Sequence, residues 1–207
     1  MQQYGENYLT APKIYFHFEF SKIQVEIETE RLYIISYRDE DFENCLSLYS
    51  DEILTKHFDH GKPRSKTEIE KYLYERGKKF SNEGYPLGLF SIFNKQDMSF
   101  LGQVDLVPVE QQETVEIGCI LHRKFHNQGF PLEACKVLTY SLVQELNQRD
   151  FKYNGDPITR VIATAHPKNY ASQRLIKNLG MIFYKSEERF GNPRLWYHCL
   201  PCMNKNK

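Results

Sequence analysis

Phe125-His126-Asn127-Gln128-Gly129-Phe130-Pro131-Leu132-Glu133-Ala134 is the stretch on which the fold turns. It follows an apolar run, Val115 to Leu121, and opens an amphipathic one, Leu132 to Leu146. A strand, a tight glycine turn and a helix N-terminus in that order make an anion site. The free N–H groups of the first helical turn and the positive end of the helix dipole point at the same spot. A phosphate-bearing cofactor is its natural occupant.

Upstream of the turn, Leu87 to Phe93, Phe100 to Val107 and Thr114 to Leu121 read as three strands of an antiparallel meander joined by polar turns. Downstream, Cys135, Leu138, Leu142 and Leu146 form one apolar helical stripe. After a polar loop, Thr159 to Ala165 is a strand; the helix between makes it parallel to the strand at 114–121. His166-Pro167-Lys168-Asn169 turns into a short helix holding Leu175, Ile176 and Leu179 and stopped by Gly180. Met181 to Lys185 and Arg194 to Leu200 are the last strands.

Nearer the start, Leu32 to Tyr37 is a mostly buried strand. Asp39 is the expected cap of a helix carrying Phe42, Cys45, Leu46 and Tyr49. Thr67 is the expected cap of a second helix, with Ile69, Tyr72, Leu73 and Phe80 inward. Residues 1–12 read as a disordered leader. In 13–27, Ile14, Phe16, Phe18 and Phe20 share one face before the phase slips to Ile23, Val25 and Ile27, so a bulge or break is expected near Ser21-Lys22. This segment is an added strand on a sheet edge or a pairing surface in a homodimer; the bland alternative is a loose aromatic tail. The expected layout is an N-terminal extension (1–25), one domain (26–203) and a short tail (204–207).

Composition narrows the function. The 207 residues suffice for one domain, and 27 basic against 27 acidic residues give no global field for nucleic acid or anionic membrane. The start Met-Gln-Gln-Tyr-Gly-Glu-Asn is neither basic nor apolar, so no secretory signal is expected, and no apolar run approaches the roughly 20 residues needed to span a bilayer; a soluble, cytoplasmic protein is the expectation. Five cysteines, at 45, 119, 135, 199 and 202, suit a reducing compartment. Cys199 and Cys202 form a C-x-x-C beside His198, but no second ligand pair stands at zinc spacing, so no metal is expected.

The turn at 126–134, the segment Asn169 to Met181, Glu30-Arg31-Leu32 and Glu116-Ile117-Gly118 together resemble the GNAT N-acetyltransferases, and most closely the RimJ/RimL branch that acetylates ribosomal-protein N-termini. The resemblance covers residues 26–200. It implies a mixed α/β (α+β) fold: a central, mostly antiparallel sheet splayed between two parallel strands and flanked by about four helices. Acetyl-CoA is then expected in the split as co-substrate. Main-chain groups of Cys119, Ile120 and Leu121 would hold the pantetheine arm. The turn at His126, Asn127, Gln128, Gly129, Phe130 and Pro131 would cradle the pyrophosphate, and Asn169 would contact the arm or order the site. The implied partner is an amine acceptor, a protein N-terminus or a small molecule.

Two departures stand out. His126 replaces the family's basic or amide residue, and Pro131 replaces a small one. Proline lacks an N–H, and a hydrogen bond to a charged group is worth roughly 1.5–3 kcal/mol. Against that, proline is favoured at the first helical position. The family's tyrosine proton donor falls at Ile176, and Ser172 is the implied substitute.

Acyl transfer to an amine needs the amine neutral and the leaving thiolate protonated. With a pKa of roughly 7.7–8.0, an α-amine is about a tenth neutral at pH 7, whereas lysine is neutral to about one part in several thousand. Glu116 is the candidate base, acting through water; the alternative is a strand carboxylate or an anchor for substrate charge. Ser172 is the candidate donor to the thiolate, its alternative a structural role in the first helical turn. Asn169 could equally be a helix cap. His122, His126 and His166 sit near the site or simply on the surface. Arg123 and Lys124 attract phosphates or are solvated. Tyr197 and His198 line the acceptor pocket or pack. Rival readings are a small-molecule amine acetyltransferase of the aminoglycoside-modifying kind, which would want an acidic pocket, and a catalytically weak CoA-binding module.

Overall fold

The computed structural model describes residues 11–111, 113–153 and 155–201. Cys202 and the tail at 204–207 lie outside them, as does most of the expected leader. Nine strands form one sheet in the order β1-β2-β3-β4-β5-β6-β7-β9-β8. They are β1 (Lys13–Glu19), β2 (Lys22–Glu28), β3 (Leu32–Ser36), β4 (Gly88–Asn94), β5 (Phe100–Pro108), β6 (Thr114–Leu121), β7 (Arg160–Ala165), β8 (Ile182–Arg189) and β9 (Asn192–Cys199). All neighbours are antiparallel except β6 and β7. The fold is the mixed, mostly antiparallel one with a single parallel pair.

The helices are α1 (Phe42–Tyr49), α2 (Glu52–Thr55), α3 (Lys66–Leu73), α4 (Lys79–Asn82), α5 (Phe130–Lys136), α6 (Val143–Gln148) and α7 (Tyr170–Asn178). A π-helical turn at Tyr74–Lys78 joins α3 to α4, and another at Val137–Leu142 joins α5 to α6. Burial sorts them into two layers. Val115, Ile117 and Leu121 of β6 belong to the core under α5, α6 and α7. Ile120 belongs to the smaller core under α1 and α3, with Cys45, Tyr49, Ile69 and Tyr72. Alternation along a strand therefore puts odd positions of β6 on one face and even positions on the other.

Several local expectations change. The phase slip after Phe20 is a hairpin turn, not a bulge: Phe20 has φ +52°, and β1 pairs β2 from Lys13↔Glu28 to Glu19↔Lys22. β2 thus runs across the expected boundary at residue 25. Asp39 does not cap α1; it opens a 3-10 turn and bonds Lys78 instead. The second helix is capped by Ser65, not Thr67, through a capping box with Glu68 that satisfies two otherwise orphan N–H groups. The last two strands are longer than expected and meet in a hairpin at Phe190-Gly191.

Candidate active site

The sheet opens where its one parallel ladder ends. β6 and β7 pair only at Thr114↔Arg160, Val115↔Val161 and Glu116↔Ile162. Beyond Glu116, β6 stays bonded to β5 while β7 turns to β9 as far as Ala165↔Leu195. Among the described residues no strand lies beside the β7-facing edge of Ile117 to Leu121, where only the Leu121 carbonyl is taken, by the His126 ring, and unpaired backbone N–H and C=O groups seek a partner. A cleft of about 400 Å³ fills the gap.

On the α5–α7 face the cleft is lined by His126, Asn127, Gly129, Pro131, Leu132 and Cys135, and by Asn169, Ser172, Leu175 and Ile176 of the last helix. Gly129 is the N-cap of α5 with φ +81°, a conformation glycine adopts without strain, and Asn127 is also left-handed at φ +59°. Pro131 stands at the second helical position, not the first, because Phe130 begins the helix. Its missing N–H is still one of those a helix start leaves free. Phe130 is buried, its ring lies 4.6 Å beneath the Arg31 guanidinium, and it stands outside the cleft lining.

Arg31 explains the Glu30-Arg31-Leu32 motif. Its Nη1 donates to the Gln128 carbonyl at 2.8 Å, and Nε and Nη2 donate to Glu133 Oε2 at 2.7 and 2.6 Å. Glu133 Oε1 accepts from the Arg31 N–H at 3.0 Å and from Thr29 Oγ1 at 2.6 Å. The clamp pins the turn to the start of β3. It also occupies the carboxylate closest in sequence to the turn, which would otherwise oppose a bound anion. His126 Nε2 lies 2.9 Å from the Leu121 carbonyl; a carbonyl only accepts, so Nε2 carries the proton. Gln128 Nε2 donates to Lys124 O, outside the cleft lining.

Asn169 is the N-cap of α7, its Oδ1 accepting the Ser172 N–H at 3.1 Å. It also lines the cleft, so cap and ligand contact are compatible: Oδ1 caps while the amide N–H groups stay available. The half-buried Ser172 hydroxyl has no hydrogen-bond partner among the described residues. His122 lies 3.5 Å from Ser47 Oγ. His166 accepts the Lys168 N–H and stacks on His57 with ring centres 4.7 Å apart. Burial draws the pKa values of His57 and His166 below the ordinary histidine value, and nearby cations add to the effect. Tyr197 is core, packed edge-on to Phe183, and the ring of His198 sits against Tyr184.

The opposite face carries the charged groups. Glu116 stands at the vertex of the split, buried, with Oε1 accepting from Arg189 Nη1 at 2.7 Å and Thr164 Oγ1 at 3.4 Å. Oε2 has no hydrogen-bond partner among the described residues. Asp105 is register partner of Gly118, and a Cβ at Gly118 would collide with Asp105 Oδ1, which is why no side chain fits there. Burial raises the Asp105 pKa, opposed by Arg76, which bonds Oδ2 at 3.0 and 2.8 Å. His57, Asp59, Tyr72, Phe190 and Arg194 complete this side. Sequence reasoning had singled out Glu116 on this side and missed the others. Asp105 alone had a legible signal: an acid inside an otherwise apolar strand.

Comparison with known proteins agrees with the geometry. Residues 31–182 match the model of the acetyltransferase (GNAT) domain. YkkB of Bacillus subtilis is 27% identical over 115 residues, 55% of this chain and 61% of that relative, so the match spans less than two thirds of its length. RimL, a ribosomal L7/L12 alpha-N-protein acetyltransferase solved with coenzyme A, superposes with a TM-score of 0.67 at 15% identity, covering 84% of this chain and 96% of that one. The spermidine N-acetyltransferase of Vibrio cholerae, solved with CoA and spermine, gives 0.64 at 13% identity over 82% and 95%. No cluster of three or more metal-ligating side chains occurs among the described residues, and no helix there is long and apolar enough to cross a membrane. With the family model spanning most of its length, this chain belongs to the GNAT acetyltransferase family.

Proposed function

We propose that this chain transfers an acetyl group from acetyl-CoA to a primary amine, with an N-terminal α-amine as the acceptor. The observation that carries the reading is the split itself: a free strand edge at Ile117 to Leu121 leading to a glycine-capped helix start. Such an edge offers strand-like pairing to an amide-bearing arm, and the turn offers N–H groups to a pyrophosphate. The residues fit the coenzyme, since Glu133 is already neutralised by Arg31 and the cleft is about the size of a small-ligand site.

The chemistry divides between the two faces. The coenzyme enters beside α5 and α7, and the amine approaches from the α1–α3 face. Glu116, at the vertex, orients a water or the ammonium through its free Oε2 and receives the proton by that route. Its other oxygen is held by Arg189, which fixes the carboxylate's direction. Ser172 supplies a proton to the departing thiolate. Cys119, a thiol in the cleft, is held protonated by its hydrogen bond with Cys135 and by burial, which favours direct attack over a cysteine-linked acyl step. The acceptor acts on the precedent of the RimL neighbour, whose substrate is a ribosomal-protein N-terminus.

An acceptor panel read by thiol release tests this. Peptides with free N-termini are expected to turn over faster than their N-acetylated, lysine-bearing twins. No release with any amine, at acetyl-CoA concentrations up to millimolar, overturns the proposal.

A further inference from the structure

The acceptor side of the cleft has one guanidinium too many. Its three carboxylates are each taken by an arginine: Asp59 by Arg64, Asp105 by Arg76 and Glu116 by Arg189. A fourth arginine, Arg194, lines the same cleft and is only 4% exposed. It pairs with no carboxylate among the described residues. Its partners are two main-chain carbonyls, His57 O at 3.0 Å and Asp59 O at 2.5 Å. Glu187, its register partner on β8, bonds Lys185 instead.

Two carbonyls cannot use the five N–H donors of a guanidinium, and the buried Nε has no hydrogen-bond partner among the described residues. A buried charge without a countercharge is costly, and arginine cannot shed its proton to escape that cost. Burial lowers the Arg194 pKa, with Asp59 opposing, Arg189 adding and Glu116 opposing. The position therefore favours an anion. A polyamine would bring several ammonium groups to carboxylates that each already carry an arginine, with only Glu116 Oε2 left for the reacting amine.

We propose that Arg194 is a specificity-determining residue that binds a carboxylate carried by the acceptor, so that the enzyme prefers amines with a carboxylate nearby over polyamines. This rests on the acetyltransferase reading above. The carboxylate has two sources of the same chemistry: the α-carboxylate of a free amino acid, or the acidic side chain of the second residue of a peptide.

Steady-state kinetics with matched acceptors separate the possibilities. One arm compares peptide amides beginning Ser-Glu with twins beginning Ser-Gln; the other compares leucine with leucinamide; spermidine is the cationic reference. Wild type should favour the carboxylate partner of at least one pair by about tenfold or more in kcat/KM, the scale of one charged hydrogen bond. Spermidine should be the poorest acceptor. Arg194→Met should bring the favoured ratio close to one while CoA affinity stays within about twofold of wild type. Arg194→Lys keeps the charge without the fork, should retain part of the preference, and serves if the methionine variant does not fold. A residue that merely pins the 57–59 loop would lower both members of a pair equally, leaving the ratio intact; that result overturns the proposal. So does an absent wild-type preference, or spermidine as the best acceptor. Thiol release without carboxylate preference would sink this inference alone, whereas no release from any acceptor would sink the acetyltransferase reading with it.

Discussion

Replacing Gly129 by alanine tests the anion turn at its narrowest point. At φ +81° an L-residue is disfavoured by about 1–2 kcal/mol. The new Cβ would also sit 3.2 Å from Arg31 Nη2, tighter than ordinary contact. Arg31 can yield by a few tenths of an ångström, but only by lengthening its bonds to Gln128 O and Glu133 Oε2. Alanine recovers about 0.4–1 kcal/mol through reduced freedom of the unfolded chain. The two backbone effects net to a loss of about 1 kcal/mol, to which the Arg31 contact adds, shared between stability and the turn's shape. For a chain of this size, 1 kcal/mol is a Tm decrease of about 2–4 °C. A turn that relaxes its strain by moving loses about tenfold in CoA affinity, the equivalent of 1.4 kcal/mol. Thermal unfolding with and without CoA, with calorimetric titration, reads both. Gly155→Ala is the control: its φ is +91° with nothing within 4 Å of the added Cβ, so it carries the backbone strain far from the cleft. If Gly129→Ala binds CoA as tightly as wild type, or if Gly155→Ala weakens CoA equally, the reasoning about the turn is wrong.

Arg31→Met should leave the mostly buried Glu133 carboxylate without its main partner and cost about 2 kcal/mol, with weaker CoA binding; adding Glu133→Gln should recover part of the loss, and a simple sum of the two single effects would contradict the clamp. Glu116→Gln should lower turnover most at low pH, where the amine depends on proton removal, with CoA affinity nearly unchanged; equal turnover at every pH would remove Glu116 from the chemistry. His57 and His166 have folded pKa values below 6.5, so the folded state binds fewer protons than the unfolded chain there. Their contribution to stability is therefore fully present above pH 6.5 and lost as pH falls through the depressed values. Denaturant titrations at pH 7 and 5 should show the loss, and His57→Gln should reduce it; an unchanged pH slope in that variant would contradict the assignment.

The layers were legible because each rests on a local pattern. An apolar run after a polar turn marks β6, 3.6-residue spacing marks the stripe of Cys135, Leu138, Leu142 and Leu146, and Gly129 after that apolar strand marks the anion turn. Capping was less legible: Ser65 and Thr67 both suit a helix start, and only the reciprocal bonds with Glu68 decide for Ser65. The contacts that complete the site were not legible at all. Arg31 meets Glu133 across 102 positions, and Arg189 meets Glu116 across 73. Such pairs are set by sheet order, and β9 lies inside β8, which no local pattern encodes. His57 and Asp59 come from a loop without periodicity, held by Arg194 from the far end of the chain.

Hydrogen–deuterium exchange with and without CoA tests the central claim most directly, because it reads the backbone amides that the parted strands leave free. Slowed exchange confined to Ile117–Leu121 and to the turn from Asn127 into α5 is the predicted result. Protection elsewhere, or none at saturating CoA, would contradict a coenzyme seated between β6 and β7.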